Sequence, residues 1–195
     1  MLMWRKKNEF KPDRMGSGIL NKLYITQRQR LMLLKWALFT LLLVVLSLLQ
    51  DVVLCRLSIR GATTDLVSAS ILLLCVMLPT DTCAVFAVIS SVLYFFSGMA
   101  AGPYAIIFLT ALGIFMNIFR YSYLRKGFLS TLLCAGFGLT VYELLLFVTG
   151  LFFEYTTTGR LTAFCITAGI SVAVMPLLYP IFLSIGKIGG ESWKE

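Results

Sequence analysis

"LVSASILLLCVMLPTDTCAVFAVISSVLYFFSGMAAGPYAI" occupies residues 66–106, and its punctuation decides how the chain is read. Two apolar runs, 66–78 and 83–96, flank Pro79 and Asp81. Neither reaches the roughly 20 residues that a helix needs to cross a hydrocarbon core about 30 Å thick. In lipid only helices and closed barrels satisfy their backbone groups, and the alternating pattern of barrel strands is absent, so the runs read as helices. Pro79 followed by Asp81 reads as a turn and a helix start, with Asp81 as N-cap or first-turn acid. This favours two short spans over the other reading, one re-entrant hairpin around residues 79–82.

Outward from this stretch lie further apolar runs at 31–49, 104–119, 128–153 and 161–185, of which 104–119 is also short by that standard. The expected fold is an all-α polytopic membrane protein, a compact bundle of six transmembrane helices with short inner spans. Residues 1–30 read as a basic cytoplasmic tail, 31–185 as the membrane domain and 186–195 as a short cytoplasmic tail. Composition agrees: 59% of the 195 residues are hydrophobic and 13% charged, with a mean hydropathy of +0.90, against about 25% charged in soluble domains.

The net charge of +8 does not point to nucleic acid, because much of it sits in a tail beside a hydrophobic run. That position suits a lipid-facing flank. No histidine is present, which removes the usual general base, proton shuttle and metal ligand. No metal, cofactor or catalytic residue is expected. The five cysteines form no C-x-x-C pair and read as small buried hydrophobes. The first thirty residues carry eight Lys or Arg without an apolar core, unlike a cleavable signal.

Loop charge sets the orientation. With the amino terminus inside, fourteen of the seventeen Lys and Arg fall on the inner side, including Arg28, Arg30, Arg120, Arg125 and Lys126. Only Arg56, Arg60 and Arg160 fall outside, as the positive-inside rule demands. Both termini are therefore expected in the cytoplasm. After "GSG" at 16–18, Ile19, Leu20, Leu23 and Tyr24 share one helical face. An interfacial amphipathic helix and a polar extension of the first span both fit this pattern.

"SGMAAGPYAI", residues 97–106, then lies between the third and fourth spans on the outer side. Gly98 and Gly102 match GxxxG, a helix-packing signal in membranes. Pro103 pulls Gly102 out of helical geometry and suits a helix start, so Ser97, Gly98, Gly102 and Pro103 read as a tight turn.

Gln50 closing the first span, Asp65 and Leu66 opening the second, and Ser97, Gly98, Gly102 and Ala105 before the fourth resemble the MreD family of bacterial rod-shape-determining proteins. The resemblance spans roughly residues 31–185. Thr64 stands where that family usually has proline, Tyr94 where it often has an acid, and Ser90 where glycine is common. The resemblance implies a bacterial cytoplasmic-membrane scaffold without catalysis. Its implied partners are an MreC-like bitopic protein, an MreB-like filament, a RodA-like synthase and a class B penicillin-binding protein. Arg28, Arg30 and the loop with Arg120, Arg125 and Lys126 are the expected inward contacts.

Polar residues inside the membrane are the remaining candidates. Glu143 lies well inside the fifth run, where a charge costs about 2.5–3.5 kcal/mol on insertion scales. A contact to a partner helix or bound polar group competes there with a protonated or hydrogen-bonded glutamate that holds the bundle together. Arg120 is expected to snorkel to the headgroups, and Asn117 to bridge helices or end one near the interface. Gln50, Asp51 and Asp65 lie near Arg56 and Arg60, either as local ion pairs or as an outward docking site.

A second expectation comes from another class, the substrate-binding subunit of an energy-coupling-factor vitamin transporter, which is also a small six-span bundle. An outward pocket with converging polar groups favours that reading, and a filled centre favours the scaffold. Small residues at helical spacing on the first span would mark a coupling surface, and there Ala37 stands alone among bulky side chains.

Overall fold

The computed structural model describes residues 27–56, 62–98, 100–124 and 127–188. Its helices are α1 (Gln27–Val52), α2 (Leu66–Met77), α3 (Thr80–Phe96), α4 (Tyr104–Tyr123), α5 (Phe128–Phe152) and α6 (Leu161–Gly186). Short 3-10 turns at Leu54–Arg56 and Thr158–Arg160 follow α1 and precede α6. The amphipathic pattern after residue 18, Arg60, Arg125 and Lys126 lie outside the described residues.

The punctuation of residues 66–106 has a local cause at each point. Asp65 caps α2 by accepting from the Ser68 amide at 3.2 Å. Leu78 is extended (φ −71°, ψ 154°), as the residue before a proline prefers. The Pro79 carbonyl then accepts from Thr82 and Cys83 to start α3, with Asp81 in its first turn. At the other end, Ser97 closes α3 and Gly98 takes φ +76°, a left-handed value that favours glycine. Pro103 leads into α4 at helical angles, and the Tyr104 ring lies against Gly102. The GxxxG pair is thus a turn between α3 and α4.

Packing gives α2 a special place. All twelve of its residues are buried, and it touches each of the other five helices. A helix of that length is about 18 Å long, short of a bilayer core, but one wrapped in protein meets no lipid. Its carboxyl end would leave carbonyls unpaired in a medium without water. Helix α4 supplies the donors: Asn117 Nδ2 reaches the carbonyls of Cys75 (2.6 Å) and Leu78 (2.7 Å), and Arg120 Nη1 that of Val76 (2.6 Å). Gly113 permits this approach, since a Cβ there would lie 3.0 Å from Cys75 Sγ.

Two expectations change here. Arg120 does not snorkel but turns inward to cap α2. The fourth run, read as short, is long enough as α4: four helical stretches, Arg30–Val52, Tyr104–Tyr123, Phe128–Phe152 and Thr158–Gly186, are long and apolar enough to cross a membrane. Helices α2 and α3 are apolar but shorter.

The outside of the bundle is greasy. Among the described side chains of α1, Lys35, Phe39, Leu43 and Leu46 are the buried ones, while Leu33, Leu41, Val44, Val45 and Leu48 are exposed. Val85, Ile89, Ile107, Phe115, Leu129, Phe137 and Leu177 extend that surface over α3 to α6. Such a continuous apolar exterior marks a protein solvated by lipid.

Candidate functional site

The end of the bundle away from the described termini gathers polar side chains from four helices. Gln50 lies in the last turns of α1, Asp65 caps α2, Tyr94 lies near the end of α3 and Ser171 sits within α6. Asp65 is their centre. Its Oδ2 accepts from Tyr94 Oη (2.8 Å), and its Oδ1 accepts from the Ser68 amide (3.2 Å) and Gln50 Nε2 (3.3 Å). Its own amide donates to Ser171 Oγ (2.9 Å), while Gln50 Oε1 accepts from the Val67 amide (2.8 Å). Ser97 Oγ donates to the Tyr94 carbonyl (2.7 Å), tying the α3–α4 turn into the same knot.

Glu143 on α5 faces this knot across a cavity of about 470 Å³. Asp65, Tyr94 and Glu143 form a buried floor, and Thr63, Ala101, Gly159, Arg160 and Thr162 form an exposed rim. Phe147 and Phe164, edge to face with centroids 5.3 Å apart, hold α5 against α6 beside it. Glu143 is only 5% exposed. Its carboxyl makes no hydrogen bond or ion pair among the described residues, whereas Asp65 makes three hydrogen bonds through its carboxylate.

The sequence candidates therefore divide. Gln50, Asp65 and Glu143 meet at the cavity, and Ser97 and Gly98 form the adjoining turn. Asn117 and Arg120 act at the opposite end of α2. Asp51 is exposed at the end of α1 and does not line the cavity. Arg30 is exposed on the first turn of α1, and Arg28 lies on the same turn. Among the described residues, neutral donors rather than Arg56 hold Asp65. A carboxylate at a helix N-cap with a tyrosine and an amide in reach needs no arginine.

Ser171, Thr162 and Thr167 were not legible as site residues, and Tyr94 stood out only as a departure from the family pattern. Their partners lie far along the chain: 29 residues separate Asp65 from Tyr94, and 106 separate it from Ser171. No periodicity carries such a pairing.

Chemically the floor is rich in acceptors. Gln50 has spent both ends of its amide on Asp65 and Val67. Tyr94 has spent its proton on Asp65. No group of three or more His, Cys, Asp or Glu suited to a metal ion occurs among the described residues. The fold and site define an all-helical integral membrane protein with a buried, hydrogen-bonded acid and a polar cavity at one end. Comparison with protein-family models, with curated proteins and with solved structures finds no match.

Proposed function

We propose that this protein is a non-catalytic scaffold subunit of the bacterial cell-wall elongation complex, similar in role to the MreD family, coupling peptidoglycan synthesis to cytoplasmic filaments. One observation carries the reading. The residues behind the resemblance are scattered from 50 to 105, yet three of them, Gln50, Asp65 and Ser97, meet in a single hydrogen-bonded knot at the start of the central helix, joined through Tyr94, which stands where the family often has an acid. With Asn117 and Arg120 pinning its other end, α2 is fixed at both termini. A platform that orients other membrane proteins needs that rigidity.

On this reading the chain sits in the bacterial cytoplasmic membrane with both termini in the cytoplasm. Its basic tail and the loop with Arg125 and Lys126 meet the filament system, and the Asp65 end faces the MreC-like protein and the synthase pair. The apolar groove between α1 and α3, lined by Trp36, Thr40, Leu43, Phe86, Ile89 and Leu93, suits the single span of a bitopic partner.

A second reading, the substrate-binding subunit of a vitamin transporter, is favoured by one specific feature. The cavity holds several converging polar groups, as that class requires. Two features oppose it: α2 fills the centre of the bundle, and α1 lacks a stripe of small residues for a coupling protein. Gentle-detergent purification from native membranes decides between them. Wall-synthesis proteins in the eluate support the scaffold, and a pair of ATPases with a transmembrane coupling subunit overturns it. Depletion in a rod-shaped host should round the cells.

A further inference from the structure

Most polar groups within this bundle already have work to do. Asp65 starts α2, Asn117 and Arg120 end it, and Ser70, Ser90 and Thr149 bond to carbonyls of their own helices. Glu143 is different: it is 95% buried by its 5% exposure, it lines the cavity and it holds nothing. A carboxylate in a membrane interior is costly unless a cation or hydrogen-bond donors meet it. Among the described residues no cation and no hydrogen-bond donor is bonded to Glu143.

We propose that the cavity is a binding site for a small organic cation, a molecule whose protonated amine sits against Glu143 and Asp65 and whose other end carries a carboxylate or similar acceptor toward Arg160. The inference does not depend on the scaffold reading.

Three features select this chemistry. Acceptors dominate the floor: Glu143 offers both oxygens, and Asp65 Oδ2 has taken only the Tyr94 proton. An ammonium brings three donors and a positive charge, the complement of that surface. Donor groups are scarce, because the Gln50 amide and Tyr94 hydroxyl are already directed at Asp65. An anion at that depth would meet no cation, only neutral hydroxyls such as those of Thr167 and Tyr142. Arg160, in contrast, is exposed at the rim beside Gly159 and Thr162, so a negative group is met at the mouth. A volume of about 470 Å³ falls in the range of small-molecule sites. It far exceeds what a bare metal ion fills.

Equilibrium binding of radiolabelled lysine, cadaverine and glutarate to the full-length protein in detergent tests this. These probes are unbranched chains of five or six carbons that differ in charge. Lysine and cadaverine should bind saturably at millimolar concentration or below, and glutarate should not. Glu143→Gln should weaken both amines about tenfold or more, the scale of a charged hydrogen bond left unmade. Arg160→Ala should weaken lysine while leaving cadaverine unchanged or tighter, a shift in selectivity that loss of fold does not produce. Absence of saturable amine binding to the unaltered protein overturns the proposal, as does equal binding to Glu143→Gln. Binding of glutarate in place of the amines overturns it too. If amines bind but no wall-synthesis protein co-purifies, this proposal stands and the scaffold reading falls.

Discussion

Replacing Asn117 with leucine tests whether α2 is capped by its neighbour. The substitution removes two interhelical hydrogen bonds, to the carbonyls of Cys75 and Leu78. Such bonds contribute roughly 0.6–2 kcal/mol each inside membranes, so their joint loss is about 1–4 kcal/mol. A partial offset comes from Asn117 Oδ1, which is buried without a hydrogen bond and disappears with the amide. Removing an unsatisfied polar atom returns about 1 kcal/mol, leaving a net destabilisation of up to about 3 kcal/mol for Asn117→Leu. Asn117→Asp should be worse, since it turns a double donor into an acceptor facing two carbonyls, and any charge there adds about 2.5–3.5 kcal/mol. Equilibrium unfolding by SDS titration in mixed micelles, followed by circular dichroism, measures both. Arg120→Leu and the double variant complete a cycle, with a coupling above about 0.5 kcal/mol expected because both side chains serve one helix end. If Asn117→Leu is no less stable than the parent and Asn117→Asp lies within about 0.5 kcal/mol of it, as for an ordinary surface change, the capping argument is wrong.

Other consequences follow from the same contacts. Tyr94→Phe removes the 2.8 Å bond to Asp65 and should destabilise by about 1 kcal/mol in the same titration. Gly113→Val places a branched side chain where a Cβ already lies 3.0 Å from Cys75 Sγ; overpacking there should cost about 1–3 kcal/mol and lower the thermal midpoint in detergent. Glu143→Leu exchanges an unpartnered buried carboxyl for an apolar side chain. It should raise that midpoint by several degrees while abolishing amine binding, the trade expected where a polar group is kept for a ligand.

Element positions were legible because lipid leaves so little freedom. The apolar runs at 66–78 and 128–153 end within a residue of α2 and α5, and Pro79 marks the helix break it was read to mark. The arrangement was not legible. A helix apolar on every side looks the same in sequence whether lipid or protein surrounds it, so "LVSASILLLCVM" gave no sign that α2 is the axle of the bundle. Arg120 was misplaced for the same reason. A long cation near a helix end reads as a headgroup contact, and only the nearby end of α2 redirects it to the Val76 carbonyl.

The cavity illustrates the other limit. Glu143 and Asp65 each stood out in the sequence because an acid in an apolar run is conspicuous, but their different fates depend on neighbours. Asp65 falls where a helix begins, beside a glutamine and a tyrosine, and the fold absorbs its carboxylate as a cap. Glu143 falls in the middle of α5, where the backbone amides are already committed to helix bonds and, among the described residues, no side chain donates to it. A short central helix needs polar groups at its two ends and nowhere else. A carboxyl buried between those ends bonds to nothing in the fold, which is why the amine-binding proposal places its partner outside the chain.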